Sequence, residues 1–258
     1  MASCVRMPKT SWDAVSDWYS EYLSRPGTVQ STIVFPGAYD LLHPIPHGRY
    51  LDLACGQGAF LHTAARRMQR AQFVGMDASP SLIARARQRA PSNITFAIGD
   101  ATKQHETLGS QSFDGATCLL ALQNIDPLEP AIAQMARVLK PGAPWVIVMN
   151  HPCFRQPRQS GWGFDEGRKL QYRRVDAYLS SYEMPIIAHP GAAPHVKTYS
   201  YHRPLSVYIA LLAKHGFAID AMDEWVSNKI SDSGPRARAE NRARNEIPLF
   251  MAIRARKV

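Results

Sequence analysis

The chain holds only four cysteines, Cys4, Cys55, Cys118 and Cys153, and none of them forms a C-x-x-C pair or a metal-ligand spacing. That scarcity excludes a disulfide-stapled or zinc-knuckle fold and leaves the isolated, reduced thiols of a cytoplasmic protein as the expectation. No apolar run approaches the ~20 residues needed to span a bilayer. The N-terminal "MASCVRMPKTSWDAVSDWY" lacks the apolar stretch of a secretory signal, so no membrane partner is expected. Negative charge is also in short supply, with 21 Asp+Glu against 30 Lys+Arg. No carboxylate cluster is arranged for Mg²⁺, and metal independence follows as an expectation. Internal repeats and low-complexity tracts are missing too.

What is present is alternation. "RYLDLA" (49–54) reads as a strand and "AFLHTAARRMQR" (59–70) as a helix, then "QFVGMD" (72–77) and "SPSLIARARQRA" (79–90), the latter capped by Ser79 with Pro80 at its first position. "ITFAIGD" (94–100) and "FDGATCLLAL" (113–122) follow as strands, then the helix "PLEPAIAQMARVLK" (127–140) and the strand in "PGAPWVIVMN" (141–150). Strands separated by helix-length segments imply right-handed crossovers and a doubly wound, mostly parallel α/β sheet. An aromatic stripe in "SWDAVSDWYSEYLS" (11–24) predicts a helix within an N-terminal cap spanning 1–48. Past a core of 49–150 the pattern stops. Residues 151–204 are polar, aromatic and rich in Pro and Gly, too long for an idle loop, and are expected to form an insertion or lid. Residues 205–258 resume with a helix ("LSVYIALLAKHGF") and a closing strand ("EIPLFMAIRAR"), joined by a basic linker, "GPRARAENRARNE" (234–246).

The most informative stretch is "LDLACGQGAF", Leu51 to Phe60. An apolar strand carries Asp52, then Gly56 and Gly58 fall where strand turns to helix, letting backbone approach a ligand. A dinucleotide loop would add a third Gly, and Leu61 stands there instead. Ligands in such sheets sit beyond the strand C-terminal ends. Asp77 ends the second strand at about the spacing where a carboxylate accepts from ribose hydroxyls. Asp52 beside the loop would repel a pyrophosphate but can orient an ammonium group. Asp100, after the third strand, suits an adenine amino group. The plain alternative is that these acids cap helices and these glycines only turn.

D-x-x-x-G-x-G, an acid after strand two, "GDA" after strand three, "FDGATCLLALQNI" and "RVLKPGAPWVIV" together resemble the class I S-adenosylmethionine-dependent methyltransferases over roughly 49–150. The resemblance implies a Rossmann-like seven-stranded sheet with an antiparallel last hairpin, which "GFAIDAMDEWV" and "IPLFMAIRA" could supply. It implies S-adenosyl-L-methionine as cofactor. Asp52, Ala54, Gly56 and Gly58 would cradle the methionine end, Asp77 and Ala78 the ribose, and Asp100 and Ala101 the adenine. Leu120 or Leu122 would line the floor near the sulfonium, with Tyr19 or Tyr22 as its cover.

"NHPCF" (150–154) looks like the N-P-P-F/Y signature of enzymes that methylate base amines or glutamine, but that signature follows strand four, and here the segment follows strand five with His151 in place of a Pro. A base-amine assignment is therefore rejected. "NHPCFRQPRQSGWGFD" with "YSYHRPLS" is similar instead to a subgroup of class I enzymes without an evident acceptor. Methyl transfer is an in-line displacement needing a held acceptor lone pair, and a hydroxyl acceptor needs a base. His151 is the first candidate, His202 the second, with Asn150 beside them and His195, Tyr199 and Tyr201 behind. Transfer to an O, N or S nucleophile of a small molecule is the leading expectation. An RNA methyltransferase using "RKLQYRR" (168–174) and the basic linker is the alternative, and a non-catalytic cofactor-binding module the second.

Overall fold

The computed structural model describes residues 12–88, 90–186 and 198–258. The helix expected at 11–24 is α1 (Ser16–Ser24), preceded by a short 3-10 turn at Asp13–Val15; Ser11 lies outside the described residues. Next comes α2 (Phe35–Leu42), which begins with Pro36 in its first turn, where a missing N–H costs nothing. The core then runs β1 (Arg49–Leu53), α3 (Ala59–Arg67), β2 (Gln72–Asp77), α4 (Pro80–Gln88), β3 (Ile94–Ile98), β4 (Gly115–Leu119), α5 (Leu128–Val138) and β5 (Pro144–Asn150). Ser79 does cap α4, its Oγ accepting from the Leu82 N–H at 3.2 Å.

The segment after β5 forms two antiparallel hairpins, β6 (Ser160–Asp165) with β7 (Leu170–Val175), and β8 (Tyr182–Ile186) with β9 (Thr198–His202). Then follow α6 (Leu205–Lys214), β10 (Phe217–Trp225), α7 (Ala237–Glu246) and β11 (Phe250–Lys257). The stretch expected as a basic linker is thus mostly a helix. Its polar sequence hides the signal, but Glu240 and Arg244 pair one turn apart, and α7 packs on β7.

Seven strands form one sheet in the order β10-β11-β5-β4-β1-β2-β3. β3, β2, β1, β4 and β5 are parallel, and β11 and β10 close the sheet antiparallel. This is the Rossmann-like sheet with an antiparallel terminal hairpin. Alternate residues of β5 feed two cores: Trp145, Ile147 and Met149 pack toward α5 and α6, and Val146 and Val148 toward α2, α3 and α4. Strand order reverses between β1 and β4, which opens the ligand crevice above their C-terminal ends.

Candidate functional site

β1 ends in a turn held by left-handed backbone at Ala54 (φ 56°), Gly56 (φ 55°) and Gly58 (φ 72°). Gly58 is fixed from both sides: a Cβ there would stand 2.6 Å from Phe96 Cζ, so neither its torsion nor its packing admits a side chain. Leu61, at the position of the missing third glycine, is buried in the core, facing α3's interior neighbours rather than a ligand.

Two carboxylates flank this turn. Asp52 is buried on β1 and accepts from the Thr117 hydroxyl of β4 at 2.6 Å. Burial pushes its carboxyl up to about 7, against the Thr117 hydrogen bond and with help from the charge of Asp77. Asp77 takes the Gly56 N–H on one oxygen and the Ser79 N–H on the other, both at 2.8 Å. It too is raised, chiefly by burial. Ala78 follows it, exposed, at the mouth of α4. Asp100, half-buried past β3, accepts from the Thr102 N–H at 2.9 Å and its hydroxyl at 2.7 Å, with Ala101 buried beside it.

The β4 end turns sharply at Leu120, whose φ is 56°. Its carbonyl accepts from the Gln123 amide at 2.9 Å. Because Thr117 ties β4 to Asp52, this turn stands beside the glycine turn of β1. The N-terminal segment reaches the same edge. Asp13 and Asp17, which the sequence marks only as acids suited to a helix N-terminus, reach further: Asp13 accepts from Ser79 and Ser81 at the start of α4, and Asp17 pairs with Arg85. These bonds dock α1 next to Asp77. Tyr22 stacks on Trp18 with ring centres 5.7 Å apart. Of Tyr19, only its place on α1 is described.

The acceptor-side candidates separate. Asn150 is exposed at the end of β5. His151 is buried with both ring nitrogens engaged: Nδ1 accepts from the Cys153 N–H at 3.2 Å, and Nε2 lies 2.7 Å from Glu224 Oε1. Since Nδ1 accepts, Nε2 carries the proton and donates to Glu224. His202, also buried, bonds through Nε2 to the Tyr178 carbonyl at 2.7 Å, so Nε2 is its protonated nitrogen and Nδ1 holds the lone pair. Burial lowers both imidazoles, His151 against its bond to Glu224 and His202 against its bond to Tyr178. Tyr178 and Tyr182 bracket the His202 ring at 5.9 and 4.9 Å. Tyr199 lies on β9 and half-buried, Tyr201 on β9 and buried, and His195 lies outside the described residues.

The first hairpin is fastened by two arginines. Arg155 donates to the carbonyls of Pro248 and Ile247, Arg173 to Phe154 O and Ser160 Oγ, and both guanidiniums lie on the Trp162 ring, at 5.0 and 5.3 Å. Burial, with Arg173 close by, pushes Arg155 down to about 10. Among the described residues no group of His, Cys, Asp and Glu could hold a metal ion, and no helix is long and apolar enough to cross a membrane.

Two acids at adjacent strand ends, with a left-handed turn between them, suit a ligand bearing an ammonium group and a ribose rather than a pyrophosphate. That defines the class: a nucleoside-binding α/β fold for a cationic cofactor. Residues 51–142 match the family described as a methyltransferase domain. The demethylmenaquinone methyltransferase of Renibacterium salmoninarum is 33% identical over 116 residues, 45% of this chain and 47% of that protein. The 2-phytyl-1,4-naphtoquinone methyltransferase of Synechococcus elongatus is 35% identical over 154 residues, 53% of this chain and 65% of that protein. A crystal structure of an S-adenosylmethionine dependent methyltransferase from Mesorhizobium loti superposes with a TM-score of 0.70 at 26% identity, covering 90% of this chain and 99% of that one. The chain spans about half the length of the curated relatives it first matches. Residues 51–142 thus carry a methyltransferase domain, on a fold shared with S-adenosylmethionine-dependent methyltransferases of class I.

Proposed function

We propose that the chain transfers a methyl group from S-adenosylmethionine to a nucleophilic atom of a small molecule. The observation that carries this reading is the pairing of buried Asp52 with Asp77 across the glycine turn. When bound, the cofactor would supply an electrophilic methyl carbon, open to in-line attack by an acceptor lone pair, with the S–CH3 bond breaking to leave a neutral thioether. Asp52, ionised, would hold the amino group, Asp77 the ribose, and Asp100 with Ala101 the adenine. The docked α1 would shield this edge from water, with Tyr22 or Tyr19, both on α1, offered as the cover. Leu120 would floor the site near the sulfur.

The hairpins β6–β7 and β8–β9 would form the acceptor side, as the family match ends at residue 142, before they begin. For that reason the quinone acceptors in the relatives' names do not transfer to this chain by similarity alone. For a hydroxyl acceptor, His202 is the better base: burial favours its neutral form and its Nδ1 has no hydrogen-bond partner among the described residues, whereas His151 has both nitrogens committed. His151 then positions the 150–154 turn, and Asn150 is offered as an acceptor contact at the end of β5.

The test is calorimetric titration with S-adenosylhomocysteine and, separately, NAD. Micromolar affinity for the former alone is expected, weakened at least about tenfold in Asp77→Asn, the scale of a lost charge-assisted hydrogen bond. Folded protein that ignores S-adenosylhomocysteine would overturn the reading. Labelled methyl donor incubated with fractionated cell extract should then mark a small-molecule fraction.

A further inference from the structure

One buried arginine near the β4 turn is only half used. Arg203 follows β9 and is 8% exposed. Its Nη2 donates to Ile125 O at 3.0 Å and to Asp126 Oδ1 at 2.8 Å, and its guanidinium lies 5.3 Å from the Tyr201 ring. Its Nη1 is buried and meets no hydrogen-bond geometry with any partner among the described residues, although the buried Tyr208 hydroxyl lies close enough to feel the guanidinium's charge. A guanidinium withdrawn from water with an unmet donor carries a large desolvation penalty. Anchoring the end of β9 uses Nη2, and even with Tyr208 beside the guanidinium Nη1 is left without a well-formed hydrogen bond.

The neighbouring turn repeats the pattern with the opposite polarity. Gln123 and Asn124 both turn their amide nitrogens to the Leu120 carbonyl, and their oxygens, Oε1 and Oδ1, are buried without partners. β9 packs directly against this 122–124 turn. An unmet cationic donor and two unmet acceptors therefore lie on one pair of packed segments, beside the Thr117–Asp52 link to the methionine seat. Native proteins rarely leave such groups orphaned unless a ligand completes them.

We propose that Arg203, Gln123 and Asn124 form the acceptor's polar subsite, and that the acceptor carries an anionic oxygen, carboxylate or ionised enol, next to an O–H or N–H. The inference rests on the methyl-transfer reading above. Arg203 Nη1 donates to the anionic oxygen, and the Gln123 and Asn124 oxygens accept from the adjacent O–H or N–H. Asp126 is half exposed and its charge screened, so Arg203 keeps a net preference for negative oxygen.

The experiment titrates full-length protein, saturated with S-adenosylhomocysteine, against matched naphthalenes followed by ligand-observed NMR. One arm compares 3-hydroxy-2-naphthoate with its neutral carboxamide; the other compares 2-hydroxy-1,4-naphthoquinone, an ionised enol, with 1,4-naphthoquinone. The ionised member of at least one pair should bind about tenfold or more tightly, and the arm that discriminates names the oxygen as carboxylate or enolate. Arg203→Gln should erase that preference while S-adenosylhomocysteine affinity holds, with a lower melting temperature from the lost Nη2 anchor; a purely structural Arg203 would instead weaken both members of each pair alike. Should Arg203→Gln not fold, Asn124→Asp is the second variant: its new charge should weaken only the ionised probe. Equal affinities within both pairs, no binding of either ionised probe, or a preference that survives the variants would overturn the proposal. Failure to bind S-adenosylhomocysteine would instead overturn the methyl-transfer reading.

Discussion

At the scale of the residue, Asp52 ties stability and affinity to pH in opposite directions. Its carboxyl titrates at about 7 in the folded chain, above the ordinary carboxylate range of about 3.9. The folded state therefore holds a proton the unfolded state has released. The stability this contributes is present below about pH 4 and is lost as pH rises through 7. Cofactor affinity runs the other way, because an ammonium group needs the ionised form. S-adenosylhomocysteine should bind about tenfold more weakly at pH 6 than well above 7, with proton uptake or release measurable by calorimetry in buffers of different ionisation enthalpy. Asp52→Asn should flatten most of that profile and reduce the loss of melting temperature between about pH 4 and 7, leaving in both the share due to Asp77. A wild-type affinity independent of pH would refute this account. The grouping of Asp52, Asp77 and the glycine turn at one strand end was legible in the sequence because their residue types and short spacing are local features. Asp13 and Arg203 were not, since their partners Ser79 and Asp126 stand 66 and 77 positions away. His151 invited a catalytic reading for the same reason: only the fold brings Glu224 to it.

At the scale of the element, the turn into α3 depends on Gly58. Gly58→Ala sets a Cβ both in left-handed backbone and 2.6 Å from Phe96 Cζ. A loss of about 1–3 kcal/mol is expected, read as a fall in melting temperature of several degrees. Adding Phe96→Leu should recover the packing share and leave the torsional share, a coupling that a double-mutant cycle measures. An unchanged melting temperature for Gly58→Ala would mean the turn is not fixed as described. The five parallel strands were legible because each is an apolar run bounded by turn residues, and the final antiparallel hairpin followed from the family resemblance. The hairpins β6–β7 and β8–β9 were not: β6 and β7 are largely half-exposed and lack the alternation that marks a strand with one buried side, and β9, though mostly buried, is built of polar and aromatic residues rather than an apolar run. α7 escaped for a related reason: of its ten residues only Ala243 is buried, so no apolar stripe announces it.

At the scale of the whole molecule, the question is what a net charge of +9 is for. Much of the positive charge in the segments expected to meet RNA is met locally. Arg168 and Lys169 pair with Asp165 and Glu166, Arg174 with Asp176, Arg236 with Glu166 while covering the Phe164 ring, and Arg244 with Glu240. Arg155 and Arg173 spend their donors on carbonyls and a hydroxyl that bind the hairpin to the core. On α3 and α4, Arg67 covers Tyr39, Arg85 pairs with Asp17 and Arg87 donates to Phe96 O. A nucleic-acid groove needs several free cations along a track, each adding about 0.7 to the slope of log affinity against log salt for a single strand. Binding to a generic single-stranded RNA should therefore be weak, with a slope no steeper than about −1.5 in fluorescence anisotropy across a salt series. Labelled methyl should appear in the small-molecule fraction of the same extract and not in RNA. A slope of −3 or steeper, with label in the RNA, would reverse that assignment: the ion pairs would then be exchangeable, opening as phosphates displace the carboxylates, and the hairpins would be a nucleic-acid surface rather than the wall of a small-molecule site.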